Sequence, residues 1–526
     1  MTLIMAGWLI TSPDEIPREK YGVRVLGNTV VDVGPNQNLM KNYPDDVVVD
    51  AKEHIVLPGF VNAHTHLYGV LAHGIPVDNP PADFWEFLKD YWWPKIEDSL
   101  DKEMIAAATT WACIEMLQSG TTTFYDILEA PNSLPGGLLT ERNIVKNSGL
   151  RGILSFEATE RSGEKAALMG VEENIALHEI SKSDELISGM MCLHTTFTCS
   201  KDFIHETHLK AKKVGLGLHV HCNEGQYEGI WCEDRYGLRP LEIYEDLGVT
   251  NSKFIASQCV HLSEEEKLII QKNKVNVTHM PLANCEVGGG IAPIPELRDL
   301  GVVIGLGSDG YINDFYEVMR GAFFVHKARL QDPGVMQAEA VLEMATIGGA
   351  KALGLENVGK IQEGFSADLQ IIDARFPTPI TEEKVMSFDA NSKLGFVGIG
   401  VSNIEKSTRF YQEILGLEII GTYDNVVVDN ADGSESFLNE VVLGYKDKPG
   451  TLLVLMNWPK DKKKYDGDNV KIVFEVEDAK AVMEKIENAG GKIDRYALPH
   501  YTIDGLVGLG RDLDNYVVEI IQWKLD

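Results

Sequence analysis

Two histidines one residue apart, His64 and His66, close the segment Pro58-Gly-Phe-Val-Asn-Ala-His-Thr-His-Leu67 directly after an apolar run. In an extended segment residues i and i+2 share a face, so both imidazoles can reach one metal ion at about 2.0–2.1 Å. A His-x-His pair alone is a weak signal, and the ends of later apolar runs supply what it lacks. Leu218-His-Val-His-Cys-Asn-Glu224 and Gly305-Leu-Gly-Ser-Asp-Gly310 each carry metal-binding side chains just past a predicted strand. A set of three histidines and one aspartate binds Zn²⁺ or Fe²⁺ and leaves a position open for a water whose pKa drops toward neutrality.

The elements that must position these side chains read as an α/β array. From residue 58 to 350, short apolar runs at 153–156, 216–220, 254–256, 275–278 and 302–306 alternate with amphipathic stretches such as 264–273. That alternation predicts a (β/α)₈ TIM-type barrel, whose chemistry sits at the C-terminal ends of its strands, where the histidines fall. Residues 1–57 read as short strands at 23–26, 29–33 and 47–49, separated by Gly27-Asn28 and Gly34-Pro35. Together with 351–380 they are expected to form a small β-sandwich subdomain. The polar stretch from Phe376-Pro-Thr-Pro379 through Asn391-Ser392 marks a domain boundary. Residues 393–526 then show one βαβββ order twice. The first pass is strand 395–401, helix 403–415 and strands 417–428, 437–444 and 451–457; the second is strand 470–476, helix 479–489 and strands near 492–497, 505–511 and 515–523.

At 526 residues, 44% hydrophobic and 24% charged, the chain has the composition of a folded protein of several domains. Its formal net charge of −31, from 48 basic and 79 acidic residues, argues against a nucleic-acid partner, which is bound by neutralising phosphates. Seven cysteines without a C-x-x-C pair point to reduced thiols rather than a disulfide framework. The start, Met1-Thr-Leu-Ile-Met-Ala-Gly-Trp-Leu-Ile10, lacks a basic segment, and no apolar run approaches the ~18 residues of a membrane span. A cytoplasmic protein with no membrane partner is expected.

Residues 1 to about 376 resemble the amidohydrolase superfamily, in its nucleobase-deaminase and triazine-hydrolase branch. The carriers are Pro58 to Leu67, His221-Cys-Asn-Glu224, Val277-Thr-His-Met-Pro-Leu-Ala-Asn284, Gly305 to Gly310 and Gly364-Phe-Ser-Ala-Asp-Leu369. Phe156-Glu-Ala-Thr-Glu-Arg161 with Gly170-Val-Glu-Glu-Asn-Ile175 is most similar to aminohydrolases associated with selenium metabolism. The resemblance implies His64, His66, His221 and Asp309 as ligands of one divalent metal, zinc before iron. It implies Asp309 as acceptor of the attacking water's proton and Glu224 as the proton shuttle to the ring nitrogen and the leaving group. His194, His279 and Asn284 fall where the family places substrate-contacting or supporting groups, although for the two histidines a satisfied structural role stands beside that reading.

Other residues weigh differently. His219 is expected to face away from the site as a packed strand residue, and Cys222 and Cys285 to be buried, inert thiols. Trp85, Trp92 and Trp93 can cap a flat substrate or simply pack a lid, and Trp85 is taken as substrate-binding. Gln258, in Ala256-Ser-Gln-Cys-Val-His-Leu262, stands where the family usually has a histidine. A glutamine donates a hydrogen bond but carries neither proton nor charge, so it stabilises a developing tetrahedral centre less. His261, three residues on, faces the other way by the period-two rule.

The leading expectation is an enzyme that releases ammonia from a small nitrogen heterocycle or amidine. Its alternatives are a dechlorinating or ring-opening hydrolase of a triazine-like or cyclic amide substrate, and a small-molecule binding protein with a degenerate barrel. A homodimer or larger homo-oligomer is expected. Residues 393–526 resemble the vicinal oxygen chelate group, the glyoxalase and bleomycin-resistance fold, through Phe396 to Leu417 and Arg511 to Ile521. That group's metal positions hold Phe396, Leu453, Lys471 and Glu519, which predicts a metal-free binding or assembly module. The hydrolase family's sandwich also normally continues past Ala-Asp-Leu with further strands, whereas this chain moves soon after Asp373 into the new domain.

Overall fold

Extended, β-branched runs at the start of the chain build one sheet: Thr2–Leu9 (β1), Arg18–Glu19 (β2), Tyr21–Leu26 (β3), Thr29–Pro35 (β4) and Val47–Pro58 (β5). β5 runs almost directly into Phe60–Thr65 (β6), the first barrel strand. The computed structural model describes residues 1–76, 80–310, 312–373, 397–429, 435–445, 448–457, 471–476, 478–500 and 503–523. They divide into two units, residues 1–390 and 391–526.

The barrel continues with Thr121–Leu128 (β7), Arg151–Ala158 (β8), Ile187–Gly189 (β9), Met191–Leu193 (β10), Leu218–Cys222 (β11), Phe254–Gln258 (β12), Asn276–His279 (β13) and Ile304–Leu306 (β14). These pair in parallel in the order β14-β13-β12-β11-β10-β8-β7-β6, with β9 also on β8. The ring closes just past β14: the Ser308 and Asp309 N–H groups donate to the His64 carbonyl at 3.0 and 3.1 Å, and the His66 N–H donates to the Asp309 carbonyl at 3.3 Å. Closure therefore runs through the backbone of residues read above as metal ligands. Every residue of β6 and β11 is buried, as befits parallel strands with helices outside and side-chain layers inside.

Helices between the strands start and stop on local signals. Lys201–Val214 opens on Ser200, whose hydroxyl accepts from the Phe203 N–H, and ends at Gly215 in the left-handed region. It buries Phe203, Ile204, Thr207 and Ala211, the i, i+3/i+4 stripe that packs on the barrel. Glu264–Asn273, where a helix is expected at 264–273, opens on a Ser263/Glu266 capping box.

Leu369–Asp373 (β15) returns to the first sheet and pairs antiparallel with β5, from Leu369 opposite Pro58 to Asp373 opposite His54. The sheet order is β15-β5-β1-β3-β4, with β2 on β1. The boundary region expected at 376–392, and whatever follows β15 at the sheet edge, lie outside the described residues.

The second unit holds two four-stranded sheets. Val397–Gly400 (β16), Glu418–Asp429 (β17), Glu435–Tyr445 (β18) and Lys448–Asn457 (β19) pair in the order β16-β19-β18-β17. Lys471–Glu475 (β20), Lys492–His500 (β21), Ile503–Arg511 (β22) and Val517–Trp523 (β23) pair in the same pattern, β20-β23-β22-β21. Each sheet carries one helix, Ile404–Leu415 or Ala479–Asn488, so the repeat read in the sequence is a repeat of topology. One core joins them through Phe410, Tyr411, Leu443, Leu455, Met483 and Ile520. Leu453 belongs to that core, while Phe396 and the Lys471 side chain lie outside the described residues. Among the described residues no helix is long and apolar enough to cross a membrane.

Candidate active site

The β6–β7 pairing shifts register between Asn62 and Thr65, a bulge at the strand end that re-aims the side chains that follow. There His66 Nδ1 lies 2.8 Å from the Ile127 carbonyl. A carbonyl only accepts, so Nδ1 carries the proton and Nε2 keeps its lone pair. That Nε2 is 3.6 Å from Asp309 Oδ1. His64 Nδ1 is 3.2 Å from His219 Nε2, and its Nε2 is buried with no hydrogen-bond partner. His221, at the end of β11, holds Nδ1 2.7 Å from Glu157 Oε1, which leaves its Nε2. The ligand atoms of His64, His66 and His221 all lie within 4.8 Å of one another. Three imidazoles beside a carboxylate, one of them with an orphaned buried nitrogen, fit a divalent metal.

Asp309 and Gln258 form the other wall. Both adopt left-handed backbone, φ 64° and 71°, which costs a non-glycine residue about 1–3 kcal/mol and is held only where surroundings enforce it. The Gln258 amide donates to Asp309 Oδ2 at 2.6 Å, and the Gly310 N–H donates to Oδ1 at 2.8 Å. Asn284 donates to Gln258 Oε1 at 2.5 Å, which sets the orientation of that amide. Burial, with Asp309 adding to it, pushes the Glu224 carboxyl well above its usual range, which favours its protonated form.

Glu157, at the end of β8, escaped the sequence reading. Burial would raise its pKa, but the His221, His194 and His66 imidazoles together hold it below the carboxylate range. Burial likewise opposes a charge on His221, yet Glu157 raises that imidazole to about 9. The usable signal was an acid at the C-terminal end of the apolar run 153–156. A second buried network lies alongside: Arg161 Nη2 contacts Glu97 Oε2 at 3.0 Å, Nη1 contacts Asp98 at 2.9 Å, and Nε donates to Glu129 at 2.9 Å.

These groups open onto a cavity of about 1160 Å³ whose lining includes His66, His194, His221, Glu224, Asp309 and Trp85. His194 is tied to Thr198 Oγ1 at 2.7 Å, and burial lowers its pKa to about 3. Trp85 stacks on Tyr227 at 4.1 Å with 9° between the planes, and Trp93 meets it edge-on. His279 is fully buried against His326, their Nε2 atoms 3.0 Å apart, and neither it nor Asn284 is among the described residues lining the cavity.

Two expectations need correction. His219 does not face away from His221: residues two apart on a strand share a face, and the His219 ring points inward to bond His64. Cys285 is exposed at the end of a short helix, while Cys222 is buried; all seven thiols are free. His261 lines the cavity, its Nε2 2.7 Å from the Gly289 carbonyl.

Comparison with known proteins identifies the family. Residues 55–409 match the amidohydrolase family, and residues 393–520 match the glyoxalase/bleomycin resistance protein/dioxygenase superfamily. The chain is 33% identical over 398 residues to a 5′-deoxyadenosine deaminase of Methanococcus aeolicus, covering 74% of this chain and 88% of that one. It is 31% identical to a 5-methylthioadenosine/S-adenosylhomocysteine deaminase of Pyrococcus furiosus, over 71% of this chain and 87% of the relative. Among solved structures it resembles an adenosine deaminase from Xanthomonas campestris with bound zinc, with a TM-score of 0.66 at 26% identity over 73% of this chain and 88% of that one. An atrazine chlorohydrolase from Arthrobacter aurescens shares the fold, with a TM-score of 0.64 at 20% identity over 72% of this chain and 88% of that one. The chain belongs to the amidohydrolase family, hydrolases of carbon–nitrogen bonds other than peptide bonds, and carries a glyoxalase-type domain after the hydrolase in sequence.

Proposed function

We propose that this protein hydrolytically deaminates an amino-substituted heterocycle of the adenine-nucleoside type, with one zinc ion held by His64, His66, His221 and Asp309. A bound divalent cation lowers the pKa of a water it holds and so supplies a nucleophile at neutral pH. The chain's own residues do the rest. Asp309, its carboxylate oriented by Gln258 and Gly310, accepts the proton that the attacking water gives up. Glu224, whose protonated form burial favours, delivers a proton to the ring nitrogen beside the carbon under attack. It then relays a proton to the departing amine, so that water and C–NH₂ become C=O and ammonia. Trp85 and His194 border the space for the ring.

The observation that carries this reading is the convergence of the three histidines on one point, with His64 Nε2 unpartnered in the interior. The seven free thiols suit a reducing compartment, the cytoplasm. The second unit serves as a metal-free binding or assembly module. The test is ammonia release from a panel of amino-heterocycles, with chloride measured from chlorinated analogues in parallel. Ammonia from adenine nucleosides, lost with Glu224→Gln, supports the proposal; chloride alone contradicts it.

A further inference from the structure

The helix Lys102–Gln118, which lies between β6 and β7 in the chain, carries apolar side chains on both of its faces. Its inner face, Ile105, Ala108, Ala112 and Met116, is buried in one cluster with Leu67 and Tyr68, the residues that follow His66. Its outer face exposes Ala107, Thr110, Trp111, Ile114, Leu117 and Gln118, with Trp111 at 57%, Ile114 at 42% and Leu117 at 51%. These positions recur at intervals of three and four, so they form one stripe about 17 Å long that holds no charged residue. Other outer helices are built differently. Lys201–Val214 exposes Asp202, Glu206, Lys212 and Lys213, and Glu264–Asn273 exposes Glu264, Glu265 and Lys272.

Polar groups along the stripe are already satisfied within the chain. Thr110 Oγ1 donates to the Ala106 carbonyl at 2.8 Å, and Trp111 Nε1 donates to Glu115 Oε1 at 2.7 Å. Asn313 donates to Glu115 Oε2 at 3.0 Å, so the one acid between Met104 and Gln118 is held by two donors of this chain. Such a surface loses few hydrogen bonds to water on being covered, and burying its apolar area is favourable. A helix that is apolar all round is normally covered on every side, and an exposed apolar patch of this kind marks a contact surface.

We propose that the outer face of Lys102–Gln118 is a two-fold interface, where it packs antiparallel against the same helix of a second copy of this chain. Two features select a second copy. Each copy carries a net charge of −31, so two chains repel at long range and meet stably only where acids are absent from the contact, as they are along this stripe. The stripe also complements itself end to end. Ala107 and Thr110, with small side chains, stand toward its N-terminal end, and Leu117 and Gln118, with longer ones, at its C-terminal end. A two-fold axis between Trp111 and Ile114 sets the long end of one helix over the small end of the other. It also places each helix's positive end beside the other's negative end. Trp111, near that axis, is the kind of large ring that anchors a contact. The inference concerns assembly and is independent of the reaction assigned above.

Analytical ultracentrifugation of the full chain and of matched variants at micromolar concentration tests it. The parent is expected at twice the mass of one chain or a higher even multiple. Trp111→Glu and Leu117→Glu each add an acid to both sides of the two-fold contact, weaken association by at least about a hundredfold and halve the observed mass. Trp111→Gln adds no charge and weakens association by about tenfold, which keeps the test decisive where a glutamate variant fails to fold. Leu268→Glu is the control, because Leu268 is likewise 57% exposed but stands on Glu264–Asn273, and it keeps the parent's mass. A parent that is monomeric or an odd-numbered oligomer overturns the proposal. So do folded Trp111 and Leu117 variants that associate as tightly as the parent, or a Leu268→Glu variant that dissociates with them.

Discussion

Gln258 holds Asp309 by a 2.6 Å hydrogen bond, and Asn284 holds Gln258 in turn at 2.5 Å. A glutamine amide can present either its donor or its acceptor, and only the donor end suits a carboxylate. Asn284 donates to Oε1 and thereby keeps Nε2 on Asp309.

Asn284→Leu removes that constraint at a site that is 1% exposed. Gln258 can then turn its carbonyl toward Asp309, and kcat falls about tenfold, the equivalent of roughly 1–1.5 kcal/mol, with KM little changed. Steady-state kinetics on a neutral adenine nucleoside measures this. An unchanged kcat shows that Asn284 does not govern the amide.

Glu157→Gln replaces the charged partner of His221 by a neutral one of the same shape. A carboxylate on the distal nitrogen makes a ligating imidazole more basic and fixes its tautomer, and its loss weakens metal binding by about 10–100-fold. Chelator competition against zinc above about pH 9, where His221 is neutral in both proteins, reads this directly.

The same pair gives a pH dependence with a defined sign. Metal binds neutral imidazole, and Glu157 holds the His221 proton on up to a pKa of about 9, so binding must displace it. Apparent zinc affinity of metal-stripped protein therefore rises with pH, by up to about tenfold per unit, and levels off above about pH 9. In Glu157→Gln the plateau begins at lower pH. Titrations across that window check both curves.

Gly307→Ala tests the packing behind His64. A Cβ at Gly307 would stand 2.8 Å from both Cβ and the carbonyl oxygen of His64 and 3.0 Å from Met280 Sδ, so the backbone there must shift. Overpacking of this kind costs about 1–3 kcal/mol. A lowered Tm together with reduced metal content is the expected outcome.

Much of this architecture could be read from the chain. The barrel strands announce themselves as apolar runs of the right spacing, with His64, His66 and the segments 218–224 and 305–310 at their ends; the resemblance to the amidohydrolases then singled out His221 and Asp309. Glu157 also stands at the end of such a run, but its pairing with His221 was not legible because the two are 64 positions apart and only the β8-β10-β11 neighbourhood brings them together. His219 shares the inward face of β11 with His221, as the period of two along a strand requires. The Arg161 network with Glu97, Asp98 and Glu129 joins segments whose meeting depends on loop paths, for which composition and periodicity hold no signal.

The central claim is that His64, His66, His221 and Asp309 hold one catalytic divalent metal. Metal analysis of the purified full-length protein and of His66→Ala, with ammonia release recorded on the same samples, tests it most directly. About one equivalent of zinc per chain in the parent protein is predicted, with metal and ammonia release lost together in the variant. A parent protein that releases ammonia without a stoichiometric metal, or a variant that keeps both, would contradict it.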